Sequence, residues 1–302
     1  MALVTIALRF AALALWLSAC GASTTPDDAA SLSDAGTPNG PCGFIMPNPT
    51  SAGLPNAAAY TANSDGTVGD EVTGLTWAAP ASGSYTQAQA ATFCASRAGG
   101  WRLPTRLELV SLVDFTVAPP GPTINRIFGG TPAQAFWTSS TYAGAAGNGW
   151  YVSFYNGETN SIDANNAYRA RCVRTAPARC SPIGAEVQAG GFVHDVATGL
   201  TWEQTVNASP AFSDAAAAYC AGLGAGWRLP SLNELQTIVD DTKVSPAIDG
   251  ALFPSTPAAA FLTSSAYVVR AGFGGFWSVN FSFGGSASYS IVPAPWQVRC
   301  VH

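Results

Sequence analysis

The sequence predicts an α+β protein made of two tandem units, each with two helices and a mainly antiparallel sheet. Three observations carry this: a collinear internal duplication, paired helix-capping motifs, and runs of alternating apolar residues. In the duplication Val72-Thr-Gly-Leu-Thr-Trp77 recurs as Ala197-Thr-Gly-Leu-Thr-Trp202, and Phe93-Cys94 answers Tyr219-Cys220. Gly100-Trp-Arg-Leu-Pro-Thr105 answers Gly226-Trp-Arg-Leu-Pro-Ser231, and Phe136-Trp-Thr-Ser-Ser-Thr-Tyr142 answers Phe261-Leu-Thr-Ser-Ser-Ala-Tyr267. Trp150-Tyr-Val-Ser-Phe154 and Arg171-Cys-Val173 return as Trp277-Ser-Val-Asn-Phe281 and Arg299-Cys-Val301. Repetition in this constant order is the mark of a duplicated structural unit.

Each element of the unit has its own local reason. Thr67 to Trp77 reads as a hairpin turning at Thr73-Gly74. Thr86-Gln-Ala-Gln89 is a capping box that opens an alanine-rich helix to about Arg97, and Gly99-Gly100 stops it. Thr105-Arg-Leu-Glu108 and Ser231-Leu-Asn-Glu234 are two more capping boxes, each just after a proline. The helices they open present Leu107, Val110 and Val113 in one copy and Leu232, Leu235 and Val239 in the other. Trp150/Val152/Phe154 and Trp277/Val279/Phe281 alternate with period two, as half-buried strands do. Glycine- and proline-rich stretches over 116–135 and 242–260 make the long connections.

Composition limits the function. Of 302 residues 48% are hydrophobic and only 10% charged, with 13 Lys+Arg against 18 Asp+Glu for a net charge of −5. Nucleic-acid binding selects clustered basic residues, and this balance argues against it. With two histidines, one of them the last residue, acid–base and zinc chemistry is short of parts. His194 has no second ligand at metal spacing beyond Asp195. The serines of Thr138-Ser-Ser140 and Thr263-Ser-Ser265 lack a nearby base, so neither a catalytic role nor a cofactor is expected.

The N-terminus reads as an address. Residues 1–19 have the apolar stretch Phe10 to Leu17 of a secretory signal, too short to span a membrane and stay there. Leu17-Ser-Ala-Cys-Gly21 resembles a bacterial lipobox, which makes Cys20 the lipidated first residue of the mature chain. An ordinary signal cut among small residues is the alternative. Residues 20–41 are small and polar and read as a tether. The units are expected over 42–174 and 180–302, with 175–179 as the joint between them.

Setting Cys20 aside leaves six cysteines, an even number in a chain read as exported. The duplication places one cysteine late in the first helix and one in the last strand of each unit. The expected bridges are therefore Cys94–Cys172 and Cys220–Cys300. Cys42 and Cys180 remain, and elimination pairs them across the two units.

The ordered motifs Thr-Gly-Leu-x-Trp, aromatic-Cys, Trp-Arg-Leu-Pro-Thr/Ser-x-x-Glu-Leu, Thr-Ser-Ser, Trp-x-Val-x-Phe and Arg-Cys-Val resemble the Lcl C-terminal domain family, twice over. The resemblance implies two tandem C-type-lectin-like domains on an exported bacterial lipoprotein. It implies recognition or adhesion at the envelope, most naturally the outer membrane, with a glycan or another envelope protein as partner. The calcium-binding motifs of true C-type lectins, Glu-Pro-Asn or Gln-Pro-Asp with Trp-Asn-Asp, do not occur here, so no calcium site is expected. A structural subunit docking to another envelope protein is the alternative.

Candidate residues are weighed against structural roles. Arg102/Arg228, Glu108/Glu234 and Asp114/Asp240 recur in both copies and read as Arg–carboxylate pairs or helix caps. Trp77/Trp202, Trp101/Trp227 and Trp150/Trp277 recur likewise and read as core. Trp137, opposite Leu262, and Trp296, opposite Tyr168, differ between copies and are the better surface candidates. The polar segment with Asn156, Glu158 and Asn160 is the remaining candidate for a ligand site.

Overall fold

The computed structural model describes residues 45–174, 185–188, 190–196, 198–211, 213–268, 274–290 and 296–302. The signal segment 1–19, Cys20, the tether 20–41, Cys42, the joint 175–179 and Cys180 lie outside the described residues. The first copy runs β1 (Tyr60–Ala62), β2 (Val68–Asp70), β3 (Thr76–Trp77), α1 (Gln87–Ala95), α2 (Arg106–Val110), β4 (Ala135–Thr141), β5 (Asn148–Ser153), β6 (Thr159–Asp163) and β7 (Val173–Arg174). The second runs β8 (Ala185–Gln188), β9 (Phe192–Asp195), β10 (Leu200–Glu203), β11 (Asn207–Ala211), α3 (Ser213–Gly222), α4 (Leu232–Leu235), β12 (Ala260–Val268), β13 (Gly274–Asn280), β14 (Gly285–Ser290) and β15 (Trp296–Val298). Two tandem domains, mostly sheet with two helices each, are what the duplication predicts.

The expected hairpin forms between β2 and β3. Asp70 Oδ1 accepts from the Val72 and Thr73 amides, and Gly74 takes a left-handed φ of 69° to close the turn. Gly199, at φ 73°, does the same between β9 and β10, its amide donating to Asp195 O. All three capping boxes form as read. The second α-helices are shorter than expected, ending at Val110 and at Leu235, after which the second copy runs on as a 3-10 turn over Gln236–Ile238. The cause is local. Ser111 Oγ donates to Glu108 O and Thr237 Oγ1 to Glu234 O, side-chain bonds that compete with the helical ladder. Of the expected apolar residues Val110, Val113, Leu232, Leu235 and Val239 are buried and Leu107 partly so, and Arg106, Glu108, Asn233 and Glu234 are buried as well.

Both expected in-domain disulfides are present, Cys94–Cys172 and Cys220–Cys300, and all four cysteines are buried. Each ties the first helix of a copy to its C-terminal segment. Trp77, Trp150, Trp202 and Trp277 are fully buried and Trp101 is buried, so these recurring tryptophans are core, whereas Trp227 is half-buried against Phe192 and His302. The Val152/Phe154 and Val279/Phe281 alternation packs against the second helices.

The copies share one eight-stranded sheet, β11-β15-β12-β13-β14-β6-β5-β4. They meet where β6 and β14 pair antiparallel through Thr159 and Ser286. These two residues occupy the same place in their copies, so the sheet has a local two-fold at its centre. The row facing the cores reads Phe136, Val152, Thr159, Ser286, Val279, Phe261 across the strands, nearly the same in both directions. All described residues belong to one compact unit, Gly36–His302.

Each bridge closes a long loop, with sequence separations of 78 and 80. Replacing Cys94 and Cys172 together by Ala is expected to cost about 2–5 kcal/mol in urea unfolding. An unchanged midpoint would show that the bridge does not constrain the unfolded chain.

Candidate functional site

The recurring motifs resolve into one hydrogen-bonded unit per copy. Arg102 grips Glu108 with two bonds of 2.7 and 2.5 Å, and Arg228 grips Glu234 with two of 2.7 Å. Each glutamate also accepts from the backbone N–H of its N-cap, Thr105 or Ser231, at 2.8 Å. The Thr-Ser-Ser strand completes the unit. Ser140 Oγ accepts from the Arg106 amide and Ser265 Oγ from the Leu232 amide, satisfying the first N–H of α2 and α4. Asp114 and Asp240 fold turns by accepting from Thr116 and Thr242. These polar groups hold the fold, as weighed from the sequence.

Arg171 and Arg299 are buried guanidinium groups that sequence reasoning passed over as part of a cysteine motif. Arg171 donates to Ala78 O at 2.7 Å and to Thr131 Oγ1, over the Phe128 ring. Arg299 donates to Glu203 O, Gln204 O and Thr256 Oγ1, over the Phe253 ring. Burial pulls both below the ordinary guanidinium range, to about 10 and about 9. Both remain charged at neutral pH. They tie the C-terminal segment to the β3 and β10 regions.

His194 Nδ1 lies 3.2 Å from Thr201 Oγ1. Among the described residues no group of three His, Cys, Asp or Glu is placed to hold a metal.

The copies diverge on the opposite face of the central sheet. There Trp137 pairs in register with Tyr151, and Tyr151 with Asn160. The corresponding row of the second copy is Leu262, Ser278 and Ala287. The Tyr168 ring lies 4.9 Å from Trp137 and 5.0 Å edge-on from Tyr151. Tyr85 and Phe93 stack beside them at 5.1 Å. Tyr85, Phe93, Tyr151 and Tyr168 are half-buried, and Asn160 is exposed. The result is an open aromatic face edged by an amide.

The sequence candidates fall around this face unequally. Trp137 is fully buried, a correction to its reading as a surface residue: the aromatic cluster covers it and its indole N–H donates to Tyr85 O at 2.7 Å. It is the floor of the face. Asn160 lies on the face, its Oδ1 accepting from the Ser161 amide. Glu158 stands at its edge, close enough to help raise the Tyr151 phenol, and accepts from Ser288 Oγ at 3.3 Å. Asn156 shapes the β5–β6 turn by accepting from the Glu158 amide. Trp296 is half-buried in the second copy, packed against the cluster that holds Cys220 and Cys300. The second copy lacks the charge of Glu158 for a steric reason. A Cβ at Gly285, the corresponding position, would lie 2.8 Å from Thr159 O.

Tyr151 and Tyr168 were missed, although the alternation gave a signal. If Trp150, Val152 and Phe154 face the core, Tyr151 faces the other side of the sheet. Burial raises the Tyr151 phenol first, with Tyr168 and Glu158 adding to it, and burial alone raises Tyr168. Both stay neutral hydroxyls at physiological pH, able to donate and accept.

A family model described as the Lcl C-terminal domain matches residues 66–174 and again residues 191–302. The matches begin near the first hairpin of each copy, and both include the capping-box helices, the Thr-Ser-Ser strand and the Arg-Cys-Val segment. Among curated proteins none matches the chain.

Several phenols titrate high in the folded protein. Burial and the hydrogen bond to Glu203 push Tyr219 up to about 12. A phenol raised on folding contributes stability that is complete below its unfolded value and lost as pH rises through the folded one. Stability is therefore expected to hold up to about pH 10 and to fall through about pH 12. Tyr219→Phe is expected to flatten that fall in urea midpoints measured across the range, and an equally steep fall in the variant contradicts the assignment.

Proposed function

The chain belongs to the Lcl C-terminal domain family through both of its copies, and from that premise we propose that it is an exported, lipid-anchored envelope protein serving recognition. In this reading Cys20 carries the lipid, residues 20–41 are the tether, and the two units, 42–174 and 180–302, form the head with a C-type-lectin-like fold. Two buried disulfides support export, because such bridges persist in oxidising compartments. Among the described residues no helix is long and apolar enough to cross a membrane, and a lipid on Cys20 supplies the attachment instead.

The single observation that carries the recognition reading is the divergence of the open sheet face. Trp137, Tyr151 and Asn160, with Tyr168 beside them, stand where the second copy has Leu262, Ser278 and Ala287, with Trp296 in the place of Tyr168. Tyrosines give large, rigid contact areas with a polar tip at little entropic cost. A neutral sugar ring offers the matching surface: apolar C–H faces for the rings and hydroxyls for the phenols and the Asn160 amide. The Glu158 carboxylate at the edge disfavours anionic ligands, as does the net charge of −5. The head is read as non-catalytic. Cys94, Cys172, Cys220 and Cys300 are all disulfide-bonded and offer no thiol nucleophile.

The alternative, a structural subunit docking through an apolar face, has less support. The exposed large apolar side chains among the described residues are Tyr155, Val196 and Val244, scattered and not contiguous in sequence. Docking interfaces of that kind present contiguous apolar patches.

Purified protein on a broad glycan array is expected to bind a neutral glycan equally with calcium and with chelator. Tyr151→Ala is expected to weaken that binding about tenfold or more, on the order of 1.4 kcal/mol. Binding unchanged in the variant would remove the sheet face as the site. Cells fed an alkyne fatty acid are expected to label the protein, and Cys20→Ser to lose the label. Persistent labelling of the serine variant would overturn the anchor.

A further inference from the structure

The contacts at the centre of the seam are made twice, related by the local two-fold. Thr159 N donates to Ser286 Oγ at 3.0 Å, and Ser286 N donates to Thr159 Oγ1 at 3.0 Å. Gly157 lies against the Trp277 ring, where a Cβ would sit 3.4 Å away, and Gly284 lies against Trp150, at 3.5 Å. Residue i touching j while j touches i is the signature of an isologous interface, the kind that joins identical subunits.

Several contacts are made on one side only, among them Asn48 Nδ2 to Glu234 Oε1, Asn233 Nδ2 to Pro47 O and Val113 O, and the ion pair of Arg106. Arg106 is buried, with Nε donating to Asp241 Oδ1 at 2.5 Å and Nη1 to Gln236 Oε1 at 2.6 Å. Its guanidinium also lies over the Trp150 ring at 5.3 Å. The positions corresponding to Arg106, Asp241 and Gln236 in the opposite copies are Leu232, Phe115 and Val110. Leu232 and Phe115 lie together in one apolar cluster. The interface thus uses an ion pair on one side of the two-fold and an apolar contact on the other.

We infer that the β6–β14 seam is a repeat-recognition surface whose partner is a second copy of this same repeat, and that Arg106 restricts the partner of the first repeat to the second. In a pairing of two first repeats, Arg106 would be buried against Val110 and Phe115 with no carboxylate. In a pairing of two second repeats, the half-buried Asp241 would lose its cation. A buried charge without its partner is strongly destabilising. Arg106 is a specificity-determining residue of the seam.

The test starts from the full-length chain carrying Cys180→Ser and a protease site at residues 175–179, folded and then cut. Without a bond between Cys42 and Cys180 the halves are held by non-covalent contacts alone, the seam together with residues 47–54 and 113–115 against the second copy. The two halves are expected to co-elute as one particle, and native mass spectrometry is expected to find first–second pairs only. Separation of the cut halves, or first–first pairs at more than a few per cent, would overturn the inference. In Arg106→Leu, first–first pairs are expected to rise at least tenfold. Their absence in a variant that still folds contradicts the role given to Arg106.

Discussion

The antiparallel contact of Thr159 with Ser286 is the constraint on which the joined structure depends. Two strands from different domains can form one ladder only if nothing at the crossing holds them apart. Small hydroxyl side chains at the centre and Gly157 and Gly284 on either side provide that close approach. The hydroxyls also satisfy the two amides that the short pairing leaves over, so the buried crossing loses no hydrogen bonds there. The tryptophans packed on the glycines then belong to both cores at once. Phe115 of the first copy, buried in the cluster of the second, extends the same sharing.

Within each copy the short helices are held by tertiary bonds and not by their own propensity. Helices of five and four residues have no independent stability. They persist because the capping glutamate is gripped by an arginine three residues before the N-cap, and because a strand serine takes the first amide. This accounts for Trp-Arg-Leu-Pro and Thr-Ser-Ser recurring together: the two motifs are halves of one contact. The buried Arg171 and Arg299 fasten the C-terminal segment next to the disulfide in the same spirit.

Much of this was legible in sequence, and the exceptions have physical reasons. The duplication, the capping boxes, the core tryptophans and both disulfides follow from local patterns that the two copies repeat. Helix length was misjudged at Val113 and Val239, because Ser111 and Thr237 divert the carbonyls the helix needs. Trp137 was placed at the surface because it differs between copies, but divergence there means a different covering, Tyr168 and Tyr85, and not exposure. The seam left almost no trace. It consists of two glycines, a threonine and a serine, and its specificity rests on Arg106, which sits where an amphipathic reading expects solvent. Only the neighbouring chain segment shows why that arginine is buried.

The central claim is that two domains joined by one sheet and by shared core residues unfold as a single cooperative unit. Scanning calorimetry of the intact protein tests it most directly. One transition is expected, with a calorimetric enthalpy equal to its van't Hoff enthalpy. Two resolved transitions, or a calorimetric enthalpy near twice the van't Hoff value, would contradict it and show that each copy folds without the seam.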